Sequence, residues 1–263
     1  MTKSNYLIAL VAALASLNVS AQYQTIAAQP GIPQYRDALQ ALPIDRNDET
    51  EYQFERSSLK ALDVHDPIEG FNRYVYRFNA EFDEHFYLPV VRGYVAVTPR
   101  FVRSGVSNFF QNINDVPNLV NSVAQGKVQK SLRTTARLLF NTTLGGLGLV
   151  DVAKRMGLPQ EPEDFGQTMG FYGAPEGPYL VLPFIGPSSL RDTTGRVVDW
   201  TIHSGWDPLY ASEYMNNNPW TYPLYAVDLR YRTPFRYGAL DTPFEYDQIR
   251  YLYTKLRELQ ISQ

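Results

Sequence analysis

The chain contains no cysteine. That removes disulfides, thiol catalysis, thiolate metal sites and a bacterial lipid anchor on a cysteine. Histidine is nearly as scarce, with only His65, His85 and His203. No H-E-x-x-H occurs. Glu81 and His85, four apart on a helix, have a spacing that suits a metal and equally a surface ion pair, so no metal site is expected. Positive charge is not in excess: the net charge is −3, which leaves no footprint for nucleic acid. Beyond the first twenty residues no uninterrupted apolar run approaches the ~20 residues of a membrane span.

Catalytic motifs are also missing. Gly145, Gly146 and Gly148 lie in the stretch NTTLGGLGLVD, which follows a helix and lacks the Lys-Ser/Thr ending of a phosphate loop. Gly186-Pro187-Ser188-Ser189-Leu190 lacks the second glycine of a nucleophile elbow. Glu161, Glu163 and Asp164 cluster. Two carboxylates with split pKa values suit glycoside hydrolysis, and a solvated loop explains the cluster as well. No catalytic residue and no cofactor is assigned.

What is present is apolar and aromatic. Of 263 residues 44% are hydrophobic, and 19 are tyrosine. Tyrosine has an apolar body and a polar tip, which suits either a core or a boundary between greasy and wet surroundings. The N-terminus reads as a secretory signal peptide over residues 1–21. Lys3 gives its positive region, Tyr6 to Leu17 its apolar core and Val19-Ser20-Ala21 its cleavage site. Residues 22–63 read as a flexible polar leader, with a short helix near Tyr52 to Leu62. Residues 64–263 then form one domain.

That domain is predicted to be all-α with one irregular hairpin. Asp66 and Pro67 start a helix in which Ile68, Phe71, Val75, Phe78, Phe82 and Phe86 make one apolar stripe, ended by Pro89. Thr98 and Pro99 restart a helix, and Asp115 and Pro117 open a further short one closing near Gly126. Ser131 to Phe140 continues as a helix with Leu132, Ala136, Leu139 and Phe140 inward and Arg133 and Arg137 on one face. The glycines at 145, 146 and 148 allow close backbone contact with another helix or an acyl chain. Ser189 caps a helix with Asp192 at its third position. The terminal helix carries Ile249, Leu252, Tyr253, Leu256 and Leu259 on one face and Asp247, Arg250, Lys255, Arg257 and Glu258 around the other. Between Phe165 and Asp192 the chain is rich in glycine, proline and aromatics, and only Pro178 to Phe184 looks extended.

Six segments carry a resemblance: Asp66 to Arg73 (DPIEGFNR), Ser104 to Phe109 (SGVSNF), Leu139 to Thr142 (LFNT), Gly146 to Ala153 (GLGLVDVA), Phe165 to Gly173 (FGQTMGFYG) and Gly177 to Asp192 (GPYLVLPFIGPSSLRD). In this order they resemble the MlaA (VacJ) family of Gram-negative outer-membrane phospholipid-transport proteins, over about Asp66 to Trp200. The resemblance implies a ring-like helical body with amphipathic helices lying in the inner leaflet of the outer membrane. It implies phospholipid as cargo, a porin trimer as neighbour and a soluble periplasmic lipid carrier as acceptor. Family members carry a lipobox cysteine; this chain reads Val19-Ser20-Ala21-Gln22 there, so an exported but unlipidated protein on the periplasmic side is expected. Combining resemblance and pattern, Phe71, Val75, Phe78, Phe82, Gly145, Gly146 and Gly148 are candidates for a lipid path. Arg77 and Asn79 are candidates for headgroup contact. Tyr179, Leu180, Val181, Leu182 and Phe184 are candidates for membrane or porin contact. An envelope lipid or glycan hydrolase and a structural porin-associated protein stay open as alternatives.

Overall fold

The computed structural model describes residues 64–205, 211–240, 242 and 244–263. The expected signal peptide, the leader and the helix near Tyr52 to Leu62 lie outside the described residues. Helices dominate. They are α1 (Glu69–Phe82), α2 (Leu88–Val97), α3 (Arg100–Ala124), α4 (Val128–Thr143), α5 (Val152–Arg155), α6 (Phe165–Phe171), α7 (Leu190–Gly205), α8 (Ala211–Asn217), α9 (Thr221–Arg232) and α10 (Glu245–Ser262). Between α6 and α7, strands β1 (Tyr179–Leu182) and β2 (Gly186–Ser189) pair antiparallel, with Tyr179 opposite Ser189 and Leu182 opposite Gly186.

Two prolines act differently from expectation. Pro89 does not end the first helix, because a π turn over Asp83–Tyr87 joins α1 to α2. The Leu88 N–H donates to the Asp83 carbonyl five residues back. The wider turn gives the proline ring room, and Pro89 falls in the first turn of α2, where a missing N–H matters least. Pro117 lies inside α3 and does not open a new helix. The side chains of Asn121 and Ser122 donate to the carbonyls of Pro117 and Asn118, and burial of Phe110, Ile113 and Val116 holds the helix in one piece.

The cap expected at Ser189 is present: its hydroxyl accepts from the Asp192 N–H at 3.1 Å. Asp66 does not cap α1, whose cap residue is Ile68. It instead accepts from Asn72 (2.7 Å), from the Tyr246 hydroxyl and from Arg250 (3.2 Å), tying α1 to α10. Helices α6 and α7 touch backbone to backbone, since a Cβ on Gly195 would sit 2.3 Å from the Gly166 nitrogen.

Apolar cores are small. Val75, Tyr76, Tyr179, Val181, Tyr246 and Tyr253 form one cluster, and Phe110, Ile113, Met215, Tyr222 and Tyr225 another. Four of the first six and two of the second five are tyrosines, whose hydroxyls make even the core partly polar.

Candidate functional site

Several helices bury polar residues and leave apolar ones exposed, the reverse of what water favours. On α4 the buried residues are Thr134, Arg137 and Asn141, while Val128, Leu132 and Leu139 face out. Leu132 is 67% exposed and Leu139 59%, against 1% for Arg137. The expectation that Leu132 and Leu139 point inward is therefore corrected: the helix is turned about its axis. On α1, Asn72, Asn79 and the following Asp83 are buried, while Ile68, Phe71, Phe78 and Phe86 of the apolar stripe are exposed. On α10, Asp247, Arg250 and Arg257 are buried, while Leu252 and Leu259 are exposed. The loop after α4 adds exposed Leu144, Leu147, Leu149 and Val150, with Leu147 held at a φ of 58°. Soluble monomers rarely expose apolar surface so extensively, and such patches mark contact with membrane or partner.

The interior is held by charge and amide chemistry. Arg137 meets Asp115 at 3.0 Å, Asp151 at 3.3 Å and the Leu158 carbonyl at 2.7 Å. Burial still pushes the Asp115 carboxyl up, against the pull of Arg137. Arg257 grips two carboxylates, Asp164 at 2.8 Å and Asp192 at 2.9 Å, joining α10 to α6 and α7. Burial raises the Asp164 carboxyl, but Arg257 and the Gln167 donors outweigh it and hold the group well below the usual carboxylate range. Arg230 closes on Asp83 through a bidentate pair at 2.5 and 2.6 Å.

Asp199 is the exception. Its carboxylate accepts from Asn121 at 2.8 Å and from the Phe165 N–H at 2.9 Å. Burial first, and then the Asp164 charge, push it up to about 7. The unfolded group titrates near pH 3.9. Between those values the folded chain holds a proton that the unfolded chain lacks, so this group's contribution is greatest at low pH and is lost as pH rises to about 7. The melting temperature in detergent is expected to fall between pH 5 and pH 8, with a shallower fall in Asp199→Ala. An equal slope in both proteins would contradict this.

The sequence candidates separate into three groups. Phe78, Phe82 and Phe184 come together, with Phe184 5.2 Å from Phe78 and 4.9 Å from Phe82 between ring centres. Phe86 extends this aromatic cluster at 5.0 Å from Phe82. Phe71 and Arg77 lie exposed on the same helix, and Leu180, Leu182 and Phe184 are half-buried along the hairpin. Other candidates are corrected. Val75, Tyr179 and Val181 are buried in this chain's own core and present no surface to lipid or porin. Asn79 is buried, and its amide is spent on the hairpin: it donates to the Leu182 carbonyl at 2.9 Å and accepts from the Phe184 N–H at 2.7 Å. Gly145 and Gly148 serve the loop itself. A Cβ on Gly145 would lie 2.2 Å from the Val150 carbonyl, and one on Gly148 would meet Asn112; Gly146 alone of the three faces open space.

The acidic cluster is consumed by cations. Glu161 pairs with Arg133, Glu163 with Lys127 and Lys130, and Asp164 with Arg257. Glu81 and His85 meet as an exposed pair at 3.3 Å. Sequence reasoning missed the buried polar network altogether. Its signal was present, because Thr134, Arg137 and Asn141 recur at helical spacing just as the leucines do.

Among the described residues no helix is long and apolar enough to cross a membrane. The model of the family described as MlaA lipoprotein matches residues 64–260. An uncharacterized protein of Rickettsia felis is 41% identical over 152 residues, which is 58% of this chain and 61% of that protein. The intermembrane phospholipid transport system lipoprotein MlaA of Escherichia coli is 40% identical over 139 residues, 51% of this chain and 55% of that one. The chain thus spans little more than half the length of these curated relatives. A solved chain, described with the structural basis for maintenance of bacterial outer membrane lipid asymmetry, is 29% identical. It superposes at a TM-score of 0.62, over 75% of this chain and all of the other.

Proposed function

This chain belongs to the MlaA lipoprotein family, and from that membership we propose that it is a phospholipid transfer component of the Gram-negative envelope. It extracts phospholipid misplaced in the outer membrane and passes it to a soluble periplasmic carrier, beside a porin trimer. It does so by binding and release, without bond cleavage. The reading rests on one observation above all: α4 buries Thr134, Arg137 and Asn141 and exposes Val128, Leu132 and Leu139. Exposed apolar surface of this kind marks contact with a membrane or a partner, and the lipid-transfer reading takes it as membrane.

The sequence holds no cysteine, and exposed apolar surface is another way to hold a protein at a membrane. Apolar burial contributes about 25 cal/mol per Å², so a few hundred Å² of exposed leucine and phenylalanine supply what one acyl chain would. The pairing of Glu161, Glu163 and Asp164 with separate cations supports transfer over hydrolysis. The test is Phe78→Asp, at an exposed ring beside Phe82 and Phe184. Export is expected to be normal, while phospholipid accumulates in the outer leaflet, read by amine labelling of intact cells. Unchanged asymmetry in a well-exported variant would sink the assignment.

A further inference from the structure

A groove of about 590 Å³ opens between the end of α3 and α6, floored by Ala124, Phe165, Thr168, Met169, Gly173 and Ala174. The Tyr172 hydroxyl donates to the Ala124 carbonyl at 2.6 Å and straps one side. Val123, Val128 and Phe171 are also exposed on the elements that flank the groove, beside Tyr172 of its lining. Beyond Tyr172, which lines the groove, the Phe171 ring packs on it, and the Lys127 ammonium stands 6.0 Å from that ring. Lys127 and Lys130 share one oxygen of the fully buried Glu163, at 3.1 and 2.6 Å. Two ammonium groups against one carboxylate leave a net positive charge.

We propose that this groove is a seat for one phospholipid, with a tail along the apolar floor and the phosphate against Lys127. The inference rests on the lipid-transfer reading and adds to it a defined place and polarity for the cargo. The volume falls within the roughly 300–1,000 Å³ of small-molecule sites. The cation at one end of an apolar trough matches the charge of the lipid, which a purely apolar occupant would leave unused. Burial pulls the Lys127 ammonium below its usual range in spite of Glu163. A phosphate replaces the lost solvation. Polar contacts join the cation pair to the groove wall. Gln125 donates to Glu163 at 2.9 Å and to the Thr168 hydroxyl at 3.0 Å, and that hydroxyl donates onward to Asn121. This order fixes the Gln125 amide and leaves its carbonyl oxygen buried without a hydrogen-bond partner.

The full chain, purified in mild detergent with dioleoyl phosphatidylglycerol, is examined by native mass spectrometry. One lipid per chain is expected. Ala124→Trp, which fills the trough, is expected to lower occupancy at least tenfold, and Lys127→Gln several-fold, with melting temperatures unchanged. Leu132→Trp, on exposed apolar surface of α4, is expected to bind as the unaltered chain does. If Ala124→Trp melts early, Met169→Gln, which polarises the floor at constant volume, takes its place. Equal occupancy in the groove variants overturns the seat, as does displacement of the lipid by equimolar inorganic phosphate. A dimer that Ala124→Trp abolishes, or a full chain that takes up no lipid, overturns it too. Should these fail while Phe78→Asp still disturbs asymmetry, the seat falls and the transfer reading stands.

Discussion

Arg257→Met is expected to cost the folded chain about 3–5 kcal/mol, the largest stability loss of any substitution considered. Arg257 bonds both oxygens of Asp164 and both oxygens of Asp192. Without it the buried Asp192 and the half-buried Asp164 carboxylates face one another, and the clamp joining α6, α7 and α10 is gone. Both groups are now held below the usual range by Arg257 despite burial. Their contribution is therefore present above about pH 4 and lost as pH falls toward their folded values. In the variant they rise instead, so its stability should recover on mild acidification. Thermal melts in detergent at pH 5 and pH 7.5 read both effects. A variant that melts within a degree or two of the unaltered chain would contradict the account of the polar interior.

The helices themselves were legible in the sequence. Helical spacing located α1, α3, α4, α7 and α10, and the motifs from DPIEGFNR to GPSSLRD pointed to the family. What periodicity does not contain is which face turns inward. A stripe of Leu132 and Leu139 opposite a stripe of Thr134, Arg137 and Asn141 has the same spacing whether water or lipid surrounds it. The default, apolar side inward, assumes water; it fails outright on α4 and in part on α1 and α10, which also bury Val75, Tyr76, Tyr246 and Tyr253. Prolines were overread for a related reason. A π turn at Asp83–Tyr87 accommodates Pro89, and Pro117 stays inside α3, whose neighbouring Ile113 and Val116 are buried. Long-range partners such as Asn79 to the hairpin, or Arg257 to Asp164 across 93 positions, leave no local mark at all.

The second large effect follows from the surface. Leu132→Asp combined with Leu139→Asp should leave helical content in detergent unchanged, because exposed substitutions usually shift stability by no more than about 0.5 kcal/mol. In hydrocarbon each aspartate costs up to about 3 kcal/mol. Partition onto phospholipid vesicles should then fall by at least a hundredfold, since every 1.4 kcal/mol is a factor of ten. Co-flotation with vesicles measures it. A double variant that floats as well as the unaltered chain would mean that this face meets something other than lipid tails.

Envelope fractionation of the unaltered protein tests the central claim most directly. Membranes are washed first with high salt and then with alkaline carbonate. If the polar faces of α1, α4 and α10 are the interior and the leucines and phenylalanines lie in lipid, the protein stays with the outer-membrane fraction through both washes. Release by salt alone would mean that charge, and not apolar surface, holds it there, and would contradict an embedded body.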